Sequence, residues 1–255
     1  MGSIFADVDA WSTALALGLA MFAAWEFGRW HGRRLRIEYG EVPVSKFEDA
    51  SLALLGLLLG FTFSMAIVKH DQRRSMVVAD SNAIGDFYTC ATLLTEPVRT
   101  KLQSVIRYYA KLRFELSGRK LDEAEIENAL GRMQQMQNQM TALVGQAVAA
   151  GTPIAVSLVN TLNGVTSSHA ARLAAVRDRL PASIVALLLL SAVVSSMLVG
   201  REQGSSDKAD LAGTICFIVL ASVVVYVILD LNQPERGLIN VNQEPIQRLL
   251  SSMVR

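Results

Sequence analysis

A run of 18 residues without a charged side chain, Ser51 to Val68, restricts the folds available to this chain more than any other feature. A helix of that length is about 27 Å long, close to the thickness of the hydrocarbon core of a bilayer. The run ends abruptly at the polar stretch 69–74, which contains three Lys or Arg residues. This pattern predicts a membrane-spanning helix, because helices in soluble domains rarely contain so long a charge-free segment.

Three further hydrophobic runs predict three more spans. The first lies at about 11–27, between Trp11 and Trp30, whose separation of 19 residues corresponds to about 28 Å of helix. Tryptophan favours the two membrane interfaces, so both positions suit a spanning helix better than the alternative, a soluble helix anchored by two tryptophans. The other runs, 182–200 and 211–229, are joined by a short polar loop that suffices for an antiparallel hairpin.

The sequence therefore predicts an all-α integral membrane protein with four transmembrane helices in two hairpins. The expected divisions are a first membrane hairpin at 1–68, a helical extramembrane insert at 69–181, a second membrane hairpin at 182–230 and a tail at 231–255. A mean hydropathy of +0.33 fits such a mixture of bilayer and water-exposed segments. Breaks at Ser117-Gly118 and Gly151-Thr152-Pro153 divide the insert into several helices.

No Asp, Glu, Lys or Arg occurs from Met133 to Ala171, where amide side chains stand among many Ala, Val and Leu residues. Surface helices normally carry charges, so we expect another helix or a second subunit to cover this segment. A neutral exposed helix pair is one alternative. A fifth membrane segment at Ala142 to Leu162 is another, although Gly151 and Pro153 argue against it.

The distribution of charge does not decide on which side of the membrane the insert lies. One side has seven Lys or Arg residues near the membrane, and the side that includes the insert has eight. The arginines behind the first span favour an N-terminus outside the cell, whereas the basic residues at both ends of the insert favour a cytoplasmic insert.

Small residues recur at intervals of four on the second and third spans. They are Gly56, Gly60 and Ser64 on the second and Ala192, Ser196 and Gly200 on the third. Such stripes let helix backbones approach closely in lipid, either within one subunit or between the subunits of a pore. In a pore lined by the second span, Leu57, Phe61 or Phe63 would form a hydrophobic constriction that gates by dewetting.

Basic residues also follow the second span and are frequent in the stretch 99–120, which has seven Lys or Arg and one Glu. The candidates for contact with anions or lipid headgroups are Arg73, Arg74, Arg99, Arg107 and Lys111. An amphipathic helix with a solvated basic face is the alternative interpretation. The net charge of +1 gives no reason to expect nucleic acid binding.

The sequence contains no recognisable catalytic pattern. Its three histidines lie far apart, its two cysteines predict neither a disulfide nor a metal site, and it has no phosphate-binding loop, nucleophile elbow or HExxH pattern. We therefore expect no enzymatic activity, cofactor or metal. No span carries a charge at its centre, which argues against a proton-coupled transporter or a motor stator.

Four segments carry a family resemblance: Leu54 to Ser64, Val78 to Gly85, Leu93 to Arg99 and Asp230 to Ile239. Together they resemble a widespread bacterial family of four-helix membrane proteins described as bestrophin-like. The first segment is also similar in outline to the neck of bestrophins, which are pentameric anion channels. Lys69-His70-Asp71 stands where bestrophins have a tryptophan pair, and their acidic calcium-binding cluster is not evident, so calcium gating is not implied.

The resemblance implies a multi-pass protein of the bacterial inner membrane with a cytoplasmic insert. With the charge-free second span, it predicts a homo-oligomeric channel that passes anions or small solutes and is lined by that span. The alternative function is a non-conducting membrane scaffold or sensor whose insert binds a partner or ligand.

Overall fold

The computed structural model describes residues 9–39, 46–117, 123–206, 210–233 and 237–253, which form eight α-helices and no strand. The helices are α1 (Ala10–Tyr39), α2 (Phe47–Thr92), α3 (Val98–Leu116), α4 (Glu123–Ala149), α5 (Ala155–Arg177), α6 (Ala182–Ser206), α7 (Leu211–Asn232) and α8 (Glu244–Ser252).

Within these described ranges, four helical segments are long and apolar enough to cross a membrane: Ala10–Glu38, Phe47–Thr92, Ala155–Ser206 and Leu211–Asn232. The third segment combines α5 and α6, and its apolar part is α6, since α5 carries Asn160, Asn163 and Arg172. The predicted all-α membrane fold, with a helical insert between the second and third spans, is confirmed.

Helix α2 continues well beyond its hydrophobic run. It has 46 residues, or about 69 Å of helix, and no proline interrupts it. Its first half is the second span, and its second half is the first helix of the insert. The polar stretch that ends the hydrophobic run therefore marks a change of environment and not the end of the helix.

The chain divides into two compact units. Unit 1 contains Met1–Lys69 and Arg179–Ile239, and unit 2 contains His70–Asp178 and Asn240–Arg255. The tail expected at 231–255 is thus shared between them. The core of unit 1 is formed by apolar side chains of α1, α2, α6 and α7, among them Met21, Leu55, Leu188 and Val225.

In unit 1, α1 and α6 approach most closely at four glycines, Gly28 and Gly32 in α1 and Gly200 and Gly204 in α6. A Cβ atom at Gly200 would collide with the backbone of Trp25, and one at Gly28 would collide with the backbone of Met197. Each helix supplies two glycines four residues apart, the spacing that lets helix backbones touch in lipid.

Unit 2 packs the second half of α2 with α3, α4, α5 and α8 around a core that includes Phe87, Leu102, Tyr109 and Met140. Gly151 has a φ of 77°, a left-handed conformation that glycine adopts without strain, and it turns the chain between α4 and α5. This turn divides residues 142–162, so they do not form the continuous helix that a fifth membrane segment would require.

Candidate functional site

One face of α2 in unit 1 is left uncovered by the described part of the chain. The opposite face is buried at Leu55, Thr62 and Ala66, and the main-chain oxygen of Ser51 accepts a hydrogen bond from Ser195 in α6 at 3.2 Å. The pore candidates Leu57, Phe61 and Phe63 lie on the exposed side and are 54%, 61% and 38% exposed. We call this surface, with Gly56, Gly60 and Ser64, the open face of α2.

The small-residue stripe of α2 runs along this open face. A Cβ atom added at Gly56 or Gly60 would meet no described atom within 4 Å, and Ser64 is exposed. The stripe of α6 is placed differently, because Ala192, Ser196 and Gly200 are all buried within unit 1. The α6 stripe therefore packs inside the subunit, whereas the α2 stripe has no partner among the described residues of its own chain.

The exit of α7 is fixed by a buried carboxylate. Asp230 is 4% exposed, and its two oxygens accept hydrogen bonds from the backbone N–H groups of Leu238 and Ile239, each at 2.9 Å. A Cβ atom at Gly237 would lie 2.7 Å from the main-chain oxygen of Asp230, so only glycine fits there. This segment folds back on the end of α7, which gives Asp230 a structural role.

Unit 2 contains a buried ion cluster centred on Asp80, whose side chain is completely buried. Its Oδ2 atom accepts from Nε of Arg113 at 3.1 Å, from Nη2 of Arg113 at 2.5 Å and from Nη1 of Arg172 at 3.1 Å. Its Oδ1 atom accepts from the hydroxyl group of Ser168 at 3.0 Å. We call these four residues the Asp80 cluster; it joins α2, α3 and α5.

The two arginines use their remaining donors on further neighbours. Nη1 of Arg113 lies 2.9 Å from Nδ1 of His169. Nη2 of Arg172 donates to Oγ of Ser117 at 3.1 Å and to Oε1 of Gln243 at 3.0 Å. Because Gln243 lies just before α8, the cluster also holds the C-terminal segment against the insert.

Two titrating groups border the cluster. Burial, followed by the charge of Arg113, holds the pKa of His169 below its ordinary value, so the imidazole is neutral and its Nδ1 can accept from Arg113. Burial also raises the pKa of Tyr109, whose ring centroid lies 5.9 Å from the guanidinium carbon of Arg113. The arrangement contains two guanidinium groups for one carboxylate, and both groups also donate to further neighbours, which is typical of a structural clamp rather than a catalytic centre.

The basic residues singled out from the sequence lie in different environments. Arg73 is 4% exposed and donates to the main-chain oxygens of Ala175 and Asp178, so it closes the carboxyl end of α5 within unit 2 and does not lie on a solvated face. The others are exposed. Arg99 forms a salt bridge with Glu96, and Lys111 forms one with Glu115. Arg107 donates a hydrogen bond to the hydroxyl group of Tyr88, and Arg74 is the fourth exposed residue of this set.

Sequence reasoning missed the Asp80 cluster, although a signal was present. Arg113 lies four residues after Tyr109 and seven after Ile106, within the apolar stripe of α3. Asp80 likewise lies within the apolar stripe of α2, three residues after Val77 and four before Ile84, both of which are buried. A charge inside the apolar stripe of a helix predicts a buried ion pair, because an isolated buried charge would be too costly.

Comparison with known proteins adds one match. A family model described as Bestrophin-like domain matches residues 14–246, which is most of the chain. No curated protein and no solved structure matches it.

Proposed function

The chain belongs to the Bestrophin-like family, and from that premise we propose that it is an oligomeric membrane channel for anions or small solutes, lined by α2. The observation that carries this proposal is the open face of α2. It combines small residues with exposed aromatic and aliphatic side chains and contains no charge between residues 51 and 68.

A face of this composition suits the lining of a narrow pore. Glycines without neighbours in their own chain allow α2 helices of different subunits to approach closely. Phe61 and Leu57 project from the same side and would then form an apolar constriction, which gates conduction by dewetting. A pore without charged groups in its narrow part conducts passively, in agreement with the lack of a charge at the centre of any predicted span.

The same proposal includes location and sidedness. We place the protein in a bacterial inner membrane with the insert in the cytoplasm. In a chain with four spans, the start of α1 and the end of α7 then lie on the same side as the insert. The basic residues near the membrane are almost equally divided between the two sides, so the positive-inside rule does not decide the orientation, and the family resemblance is what supports a cytoplasmic insert. In a variant whose native Cys90 and Cys216 are replaced by serine, labelling of a cysteine introduced at Ser104, an exposed position on α3, should occur only after the cells are permeabilised.

Planar bilayer recording tests the channel directly. The purified full-length protein should give discrete conductance steps, and Phe61→Ala should widen the constriction and change the step size. The matched control is Phe22→Ala, because Phe22 is also exposed but lies on α1. In asymmetric chloride, the sign of the reversal potential distinguishes anions from cations.

The proposal fails if the wild-type protein is oligomeric and correctly folded but silent over a range of salts and voltages. It also fails in its assignment of α2 if both variants change the conductance equally. A silent protein would favour the second candidate, a non-conducting scaffold whose insert binds a partner. The observation that favours this candidate is the uncharged, exposed surface of α4 and α5.

A further inference from the structure

The segment without charged residues, Met133 to Ala171, is largely exposed in unit 2. Eleven exposed residues lie between positions 133 and 150, and ten lie between 151 and 171. We call these 21 residues the neutral face; they include Gln135, Gln139 and Gln146 on α4 and Asn160 and Asn163 on α5. The sequence leads us to expect a cover for this segment, and the described residues of unit 2 do not provide one.

The neutral face differs from the other exposed helix surfaces of unit 2. The exposed side of α3 carries Arg99, Lys101, Arg107, Lys111 and Glu115, which is the usual composition of a helix in contact with water. On α4, by contrast, a Cβ atom at Gly145 would meet no described atom within 4 Å, and the exposed residues around it carry no charge; they are Thr141, Ala142, Gln146, Val148 and Ala149. Depletion of charge on an exposed surface is a property of the centres of protein interfaces.

We propose that the neutral face is the surface through which copies of this chain contact one another outside the membrane. The occupant is a second copy because an amide group both donates and accepts hydrogen bonds, so amide surfaces of identical chains can pair without any complementary charge. A partner with a charged surface would find no counter-charge on this face. The inference rests on the proposed function, which requires an oligomer, and it identifies the surface of the insert through which the subunits of that oligomer contact one another.

Size and tethering support the same occupant. An interface of standard size uses about 20–30 residues on each side, a number that the 21 exposed residues reach when α4 and α5 both take part in the contact. Every copy is held by its spans at the same depth and in the same orientation in the membrane. This tethering raises the effective concentration of one insert near another, so a polar interface of moderate strength suffices.

The test adds two negative charges to the face. The variant Gln139→Glu with Gln146→Glu changes two exposed positions seven residues apart on the same side of α4. The control, Gln72→Glu with Gln247→Glu, makes the same chemical change at exposed positions of α2 and α8. Subunit number is measured by native mass spectrometry and by mass photometry of the full-length protein over a dilution series in detergent.

The wild type and the control should show the same number of subunits, whereas the face variant should dissociate at a protein concentration at least tenfold higher. Salt at about 1 M reduces the Debye length to about 3 Å and should restore part of the association, which a misfolded variant would not show. Equal subunit numbers for all three proteins, or a wild type that is monomeric in every detergent and in nanodiscs, would overturn the inference.

The two proposals can fail separately. If the face variant keeps its subunits and conducts normally, the interface is elsewhere and the channel proposal stands. If the face variant dissociates but the intact wild-type oligomer does not conduct, the neutral face is the interface and the channel proposal fails.

Discussion

The Asp80 cluster gives the sharpest prediction about stability. The substitution Asp80→Asn preserves the shape of the side chain, and its remaining oxygen can still accept from the donors that converge on Oδ2. The amide nitrogen would then face Ser168, whose hydroxyl group can also accept. The substitution therefore removes the negative charge with little change in packing, and two buried guanidinium groups lose their counter-charge.

The expected cost follows from this burial. The side chains of Arg113 and Arg172 are only 8% and 13% exposed, so water cannot replace the carboxylate. Removing one partner of a buried ion pair costs about 3–5 kcal/mol. At about 1.4 kcal/mol for each tenfold change, this corresponds to between about two and three and a half powers of ten in the unfolding equilibrium of unit 2.

Hydrogen exchange measured by mass spectrometry is the suitable assay, because Trp11, Trp25 and Trp30 all lie in unit 1 and their fluorescence does not report on unit 2. The slowest amides of α3 should exchange at least about 100-fold faster in Asp80→Asn than in the wild type. The control is Glu115→Gln, which breaks the exposed pair with Lys111 and should cost about 0.5 kcal/mol or less.

A second substitution tests the cause. Arg172→Gln added to Asp80→Asn removes one of the two uncompensated charges and should recover part of the lost protection. An increase in exchange of less than about tenfold for Asp80→Asn, or no recovery in the double variant, would refute the reasoning that an unbalanced buried charge dominates.

Two further predictions follow from other parts of the molecule. Gly200→Ala places a Cβ atom against the backbone of Trp25 and should lower the stability of unit 1 by about 1–3 kcal/mol, measured by Trp fluorescence during thermal unfolding in detergent. The control Gly131→Ala adds a Cβ atom that meets no described atom within 4 Å in unit 2, and it should change the stability of unit 1 little. Because the pKa of His169 is lowered on folding from its ordinary value of 6.5, the unfolded chain binds the proton first, so the stability of unit 2 should fall as the pH decreases from about 7 towards 5. His169→Gln should remove this component, and equal pH dependence of limited proteolysis in both proteins would contradict it.

The membrane fold could be predicted from the sequence because its signals are local. The run 51–68 indicates a span by its length and lack of charge, and Gly151 with Pro153 indicates a turn by backbone chemistry. The continuation of α2 to Thr92 was harder to predict, because the polar stretch after the span contains good helix formers and nothing in it marks where the helix ends. Hydropathy locates the membrane boundary, whereas only helix-breaking residues locate the end of a helix.

The side-chain arrangements were harder to predict because they depend on which helices become neighbours. The stripe at Gly56 and Gly60 and the glycines at Gly28 and Gly32 look alike in sequence, yet among the described residues only the second pair contacts another helix. Pairing of Asp80 with Arg172 spans 92 positions, and no local pattern gives that separation. The sequence identifies residues suited to close packing or buried pairing but does not identify their partners.

The environment of each uncovered surface determines which kind of evidence can assign it. The open face of α2 lies in a span, where lipid is as apolar as another helix, so exposed Phe61 by itself does not indicate a subunit contact and the small-residue stripe carries the argument. The neutral face of α4 and α5 belongs to the insert, where water favours charged side chains, so their absence over 39 residues is informative by itself. In the bilayer, therefore, a stripe of small residues is the evidence for a helix contact, whereas in water the lack of charged side chains on an exposed surface is the evidence for an interface. The two faces are independent indications of assembly, and each has its own variant to test it.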